Sequence, residues 1–480
     1  MHSLTLSRSA RFAVLRVFAL LGILLTACAG CTGASELAAG TAEVRALTGA
    51  GTRVVWVQHD GKDPEAIGDQ LALMGFDSED SRGERVILGQ RGSYVKPMIT
   101  PRGDRIVFST RVKPGPAEIF IVNWDGSDRR KLGDGFALGL WQNPVDDGEW
   151  VYVGTENKEW EFGTISRFRI DRPEKRELVW NTTLVSIDNF QVSADGRYAG
   201  GMFPWPDAAI ADLQARTLKK FGQGCWGALT NARGRLFWYF DGAHRNLTMV
   251  DVETEARWIV NINNAPGFDG AEVDYPRWTN HPRFFAIAGP YNQGGQNQAR
   301  TGGPQTEIYV GRFSDDFSRV EAWARVTTNA SGDSYPDVWI DLGRSPHSRQ
   351  PRGPIGPPQS RARLAPARGG VDAGRIVVNA RLTKTVAIPD PQSILPYRNA
   401  LIVNEYEILD VVHGAYQEKG IRIAQWAIRN SRVIPNAQQI PGAAFTMVVE
   451  RYDAHGELEG ERLLSSSEGS ALPIYYQIGN

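Results

Sequence analysis

Residues 94–132 open with Tyr94-Val95-Lys96-Pro97-Met98-Ile99-Thr100-Pro101-Arg102-Gly103-Asp104 and continue as Arg105-Ile106-Val107-Phe108-Ser109. After a short break come Glu118-Ile119-Phe120-Ile121-Val122-Asn123-Trp124-Asp125-Gly126 and Arg130-Lys131-Leu132. Short runs of β-branched and aromatic residues alternate with Arg102-Gly103-Asp104 and Asp125-Gly126, where glycine or aspartate accepts the positive φ of a tight hairpin. The stretch therefore predicts four consecutive antiparallel strands, one small sheet.

The pattern returns at intervals of roughly 40–60 residues, the range of repeat architectures. Asp146-Asp147-Gly148 precedes Trp150-Val151-Tyr152-Val153, Ser193-Ala194-Asp195-Gly196 precedes a strand at Tyr198, and Ala232-Arg233-Gly234 precedes Leu236-Phe237-Trp238-Tyr239. A further copy begins at Tyr275-Pro276-Arg277-Trp278 and continues as Phe284-Phe285-Ala286-Ile287 and Glu307-Ile308-Tyr309-Val310. Asp333-Ser334-Tyr335-Pro336-Asp337-Val338-Trp339 reads as a first strand with nothing after it, whereas Arg53 to Gln58, Gln70 to Phe76 and Arg85 to Leu88 read as second, third and fourth strands lacking a first. A ring of six sheets, sealed when Tyr335 to Ile340 joins the N-terminal blade, accounts for both fragments and protects the sheet edges. The expected fold is all-β: a six-bladed β-propeller over residues 51–342.

The strand-turn-strand unit of residues 94–132 resembles the TolB-type, WD40-like propeller repeat. The resemblance is close in that one copy and uneven over about 300 residues, because the other copies lose the proline or glycine. It implies the propeller fold and, as one functional expectation, a TolB-like role in envelope integrity. The separate N-terminal domain of TolB proteins has no room here, since only some twenty residues separate Cys28 from the first blade. Fold similarity by itself transfers no activity.

Arg8, Arg11 and Arg16 stand ahead of an apolar run from Val17 to Leu25 that ends in Thr26, Ala27 and Cys28, the composition of a secretory signal over residues 1–27. Its apolar core is shorter than the ~20 residues of a spanning helix. Leu25-Thr26-Ala27-Cys28 resembles the bacterial lipobox, which implies acylation of Cys28 and a membrane partner reached through the lipid. Ala29, in place of an aspartate, points to the outer membrane. Residues 28–50 read as an anchor linker. Cleavage at Cys28 leaves 50 basic and 54 acidic residues, so acyl chains, at about 0.8 kcal/mol per buried methylene, would hold the protein without a polybasic patch. The near-neutral charge also offers no global field for nucleic acid. Cys31 and Cys225 stand far enough apart for a disulfide without indicating one, and three cysteines make no metal spacing.

From 343 to 372 the chain turns to Pro, Gly, Ser and Arg, as in Gln350-Pro351-Arg352-Gly353-Pro354, a composition that cannot bury a core and reads as a disordered linker. Residues 373–480 carry strand-like runs at Arg375 to Leu382, Ala400 to Val412, Ile421 to Ala427 and Phe445 to Arg451, the size of a small β-barrel or sandwich.

No hydrolase, zinc-protease or phosphate-cradling motif appears, and no cofactor, catalytic residue or metal site is read from the sequence. Propeller geometry brings the loops before first strands and after second strands to one mouth of the central channel. That mouth is expected to collect Trp141, Asn189, Trp226, Asp274, Arg277, Asp333 and Asp337 near strand starts, with Gln142, His244 and the amide-rich loop of Asn292 and Gln293. Tryptophan faces, amides, Arg277 and carboxylates suit a polysaccharide or an envelope protein ligand, and the same residues could instead close the channel. The leading expectation is an envelope-anchored binding or scaffold lipoprotein. The enzymatic alternative is a saccharide-active propeller similar to oligogalacturonate lyase, whose metal cluster His244, His281 and Gln293 would have to supply.

Overall fold

The computed structural model describes residues 40–63, 65–111, 115–158, 160–230, 236–268, 272–291, 305–343, 374–458, 460–465 and 472–478. Cys28, Cys31, Asn292, Gln293 and nearly all of the predicted linker lie outside them. Among the described residues, no helix is long and apolar enough to cross a membrane.

Six antiparallel sheets follow one another around an axis. Blade 1 combines Thr52–His59, Leu71–Asp77 and Arg85–Gly92 with Gly332–Ile340 as its innermost strand. Arg53 pairs with Trp339 and Gln58 with Asp333, so two chain segments almost three hundred residues apart close the ring. The remaining innermost strands are Val95–Ile99 in blade 2, Phe136–Gln142 in blade 3, Phe190–Val192 in blade 4, Cys225–Leu229 in blade 5 and Glu272–Trp278 in blade 6. Three further strands follow each of them in sequence, from the inside outward.

The turn glycines have a packing role between blades. Gly103, with φ +78°, lies where a Cβ would come within 2.5 Å of the Trp339 indole, and Gly196, with φ +73°, stands in the same relation to Trp141. Each indole donates Nε1 to the carbonyl two residues before its glycine: Trp339 to Pro101 at 2.9 Å and Trp141 to Ala194 at 3.1 Å. A tryptophan at the exit of one inner strand is thus wedged beneath the first hairpin of the next blade, and only glycine leaves it room.

Residues 40–48, expected as part of the anchor linker, form a helix. Val44 is fully buried in the core shared by blades 1, 2, 5 and 6, and Arg312 donates to the Leu47 carbonyl at 3.2 Å.

The C-terminal module is a closed barrel of Ile376–Lys384, Ala400–His413, Gly420–Arg429, Ala444–Arg451 and Ile474–Gln477. Closure depends on the long strand Ala400–His413. Its first half pairs with Gly420–Arg429, while its second half pairs with Ile376–Lys384. Tyr397 joins the barrel to the propeller. Its ring packs where a Cβ on Gly242 would sit, its hydroxyl donates to the Gly242 carbonyl, and Ile394, Ala400 and Ile428 bury Ala243 of blade 5 alongside it.

Candidate functional site

The two ends of the channel differ. At the end where inner strands begin, four of them carry a non-glycine residue with positive φ: Lys96 at 53°, Trp226 at 53°, Tyr275 at 52° and Tyr335 at 53°. Strand pairing shifts register at each point, so the residues are bulges that turn a side chain toward the axis. The rings of Trp226, Tyr275 and Tyr335 meet, with centroids 5.1 Å apart for Trp226–Tyr275 and 4.2 Å for Tyr275–Tyr335. With Lys96 they surround a void of about 10 Å³, close to the least that admits one water. Residues 65–70 of blade 1 lie across the same end: Tyr275 donates to the Glu65 carbonyl at 3.3 Å, Ala66 is fully buried, and Ile67 packs against two of the core clusters.

Several residues expected to bind ligand belong to this plug. Asn189, 1% exposed, gives its amide to the carbonyls of Pro276 (2.8 Å) and Trp226 (3.4 Å), tying blades 4, 5 and 6 together. Asp274 accepts from the Tyr275 amide at 2.8 Å and lies 3.6 Å from His244 Nδ1. Burial raises the Asp274 carboxyl to about 7, against the stabilising bonds from Tyr275 and Trp226. Burial also lowers His244 to about 4, so the two meet as neutral groups over much of the acid range. Asp188 is raised to about 6 by burial, which outweighs the attraction of Lys96. Asp333 is raised to about 7 by burial, and it accepts from Trp56 Nε1, Gln58 and Asn329 at 2.8, 3.1 and 2.8 Å. These groups are occupied with one another rather than turned toward solvent.

The opposite end is open. A cavity of about 530 Å³ enters where the inner strands end, within the size range of ligand sites. Phe190, Val192, Leu229 and Met98 contribute apolar lining, Trp141, Trp278 and Trp339 aromatic surface, and Gln142, Gln191, Asn280, Asp147 and Asp341 polar groups. Trp141 and Gln142, expected near a strand start, are here because Phe136–Gln142 ends with them. Arg277 and Asp337 also line the cavity, joined Nε to Oδ1 at 2.5 Å. Asp337 additionally accepts from the Ile99 amide at 2.7 Å, and burial still holds its carboxyl above the ordinary value against the pull of Arg277. Arg277 commits only Nε; neither terminal nitrogen has a hydrogen-bond partner among the described residues. Gln191 gives Nε2 to the Trp278 carbonyl at 3.1 Å, while its buried Oε1 has no hydrogen-bond partner among the described residues.

The expected mouth residues therefore divide. Trp141, Arg277 and Asp337 gather at the open cavity, and Asn189, Trp226, His244, Asp274 and Asp333 at the plugged end. Sequence reasoning passed over Trp339, Gln191 and Asn280. One signal was present: Trp141, Trp278 and Trp339 all stand at the ends of first strands, which marks the exit end. The histidines proposed for a metal do not converge, since His244 follows the second strand of blade 5 and His281 follows the first strand of blade 6, loops at opposite ends. Among the described residues, no three His, Cys, Asp or Glu side chains are grouped to hold a metal. Cys225 forms no disulfide among the described residues and lies 3.4 Å from Trp205 Nε1.

The chain is thus a six-bladed β-propeller bearing a small closed β-barrel. No family model matches its sequence, and no curated protein does. Among solved structures it is similar to TolB from Acinetobacter baumannii, at 14% identity and a TM-score of 0.42 over 62% of this chain and 69% of that one. It is also similar to hydrazine synthase from Kuenenia stuttgartiensis, at 11% identity and 0.40 over 61% and 47%, so it spans less than half of that protein. An oligogalacturonate lyase in complex with manganese is a third, at 12% identity and 0.30 over 43% and 61%.

Proposed function

We propose that this protein is an envelope-anchored binding module, acylated at Cys28, whose propeller takes an extended segment of a partner protein into the cavity at the strand-exit end. One observation carries the reading: Arg277 offers uncommitted donors and Gln191 an uncommitted buried acceptor within one cavity. A peptide group presents the complementary carbonyl and N–H. An unpaired buried acceptor such as Gln191 Oε1 costs about 1–3 kcal/mol, so a ligand that donates to it gains by that amount, while Arg277 adds a charge-assisted hydrogen bond. The lining charges, Asp147, Asp337 and Asp341 against Arg277, favour an uncharged or basic segment over an acidic polysaccharide. Val145 beside the rim is 90% exposed, an apolar contact suited to a protein surface. The signal and the Leu25-Thr26-Ala27-Cys28 stretch support the anchor and an outer-membrane address.

The test compares crosslinked envelope partners and a panel of envelope polysaccharides on the wild type and on an Arg277→Met, Asp337→Leu double variant, which removes both charges together and strands neither. Partner capture should fall at least tenfold in the folded variant. Undiminished capture would remove the cavity from the reading, and depolymerisation of a glycan would replace binding with catalysis. Mass spectrometry of the mature N-terminus should find acylated Cys28; a terminus at Ala29 or Gly30 would refute the anchor.

A further inference from the structure

A second recess, of about 330 Å³, lies between blades 2 and 3 at the plugged end of the propeller, away from the strand-exit cavity. It exists because one hairpin overshoots its neighbour. The second strand of blade 3, Glu149–Lys158, pairs with the innermost strand only as far as Gly154, which faces Phe136. On its other side it continues with the third strand, Glu161–Arg169, out to Lys158 opposite Glu161. Thr155, Glu156, Asn157 and Lys158 therefore project with exposed side chains, and no described strand covers their inner edge. Proteins usually shield such an edge, because its unpaired N–H and C=O groups invite another strand.

The recess beside this edge is built for side chains. Phe136 and Phe162 are buried with ring centroids 5.5 Å apart, and Trp160 meets Phe136 edge-on at 6.1 Å. Trp160 is held in place: Arg111 stacks over its ring at 4.3 Å and pairs with Glu156 at 3.2 Å, while the Trp160 amide donates to Glu156 Oε1 at 3.1 Å. Arg176 lines the same recess. It donates to the Asp134 carbonyl at 2.7 Å, but no described carboxylate lies within ion-pair distance of it, and the Asp134 carboxylate is engaged by Lys131. The recess thus combines an open strand edge, an aromatic wall and the exposed guanidinium of Arg176, which no described carboxylate contacts as an ion pair, although the Asp134 carboxylate acts on it at longer range.

We propose that this recess is a strand-addition site for an acidic, apolar segment of a partner polypeptide. The segment pairs its main chain with Thr155–Lys158, seats one large apolar side chain against Trp160, Phe136 and Phe162, and places a carboxylate at Arg176. Alternate residues of a strand point the same way, about 6.6 Å apart, so the apolar and acidic residues stand two positions apart in the ligand. Main-chain pairing supplies affinity and the recess supplies selectivity.

The probe is a fluorescein-labelled peptide, Gly-Asp-Val-Phe-Val-Asp-Gly, titrated by anisotropy against the full chain in detergent, with a second peptide carrying lysine for each aspartate. The acidic peptide should bind, and the lysine peptide at least tenfold more weakly. Arg176→Glu, at an exposed position that leaves the fold intact, and Trp160→Ala should each weaken binding about tenfold or more. Hydrogen exchange of the amides of 155–158 should slow when the peptide is bound, a readout that mere surface adsorption would not move. Absence of binding at millimolar peptide, equal affinity for both peptides, unchanged affinity in Arg176→Glu, or protection appearing at residues 141–147 instead would each overturn the proposal.

Discussion

Replacing Gly103 by alanine places a methyl group 2.5 Å from the Trp339 indole in a residue whose φ is +78°. Two costs add. A left-handed conformation costs a residue with a Cβ about 1–2 kcal/mol, and overpacking against a fixed ring costs about 1–3 kcal/mol. Neither partner gives way easily, because the indole is tethered through Nε1 to the Pro101 carbonyl and Arg53 donates to the Gly103 carbonyl at 2.6 Å. The expected loss is about 2–5 kcal/mol, or a fall of about 4–10 °C in the propeller's Tm at roughly 2 °C per kcal/mol for a large domain. Gly49 provides the control. Its φ is +72° but nothing lies within 4 Å of its would-be Cβ, so Gly49→Ala should show the conformational cost alone. In a Trp339→Ala background, Gly103→Ala should fall to that same smaller cost, the difference being the coupling between glycine and indole. Equal losses at Gly49 and Gly103, or a Gly103 loss unaffected by removing Trp339, would refute the wedge.

Deleting residues 333–342 removes the innermost strand of blade 1 and exposes the edge of Thr52–His59; the propeller should unfold or aggregate, and an unchanged Tm would refute the closure. Asp274, whose carboxyl burial raises to about 7 from an ordinary value near 4, binds more protons folded than unfolded between those limits. Its contribution to stability is therefore full below pH 4 and is lost as pH rises through 7, so Asp274→Asn should gain stability relative to wild type at pH 8 and gain nothing at pH 4. Denaturant midpoints at the two pH values measure this, and a parallel offset at both would contradict the buried, protonated carboxyl.

The blades were legible because each hairpin carries its own local chemistry. Arg102-Gly103-Asp104, Asp125-Gly126 and Asp195-Gly196 mark turns wherever the surrounding fold goes, and the orphan first strand at 333–340 had a place only in the gap left by 53–88. The C-terminal strands were legible for the same reason. Whether they formed a barrel was not, since closure rests on a single strand, Ala400–His413, serving different partners along its length. The helix at 40–48 has no periodic run long enough to declare itself and is held by Val44 against distant blades.

The division of the channel into a plugged and an open end escaped sequence reasoning for a related reason. Trp226, Tyr275 and Tyr335 look like a binding surface by residue type, and the strands that carry them do begin at one mouth. What decides their role is the positive φ each adopts at a bulge, a backbone choice that side-chain chemistry does not announce. Turned inward together, the three rings fill the space that a ligand would need. The burial that results is also what raises Asp274 and lowers His244, so titratable groups that seem poised for chemistry when read along the chain are the by-product of closing one end. At the other end the inner strands finish without bulges that meet, and tryptophans that leave the axis to support the next blade's hairpin leave a recess behind them. The open cavity thus follows from the inter-blade wedges, and a substitution that loosens a wedge, at Gly196 against Trp141 for example, should alter ligand capture as well as stability.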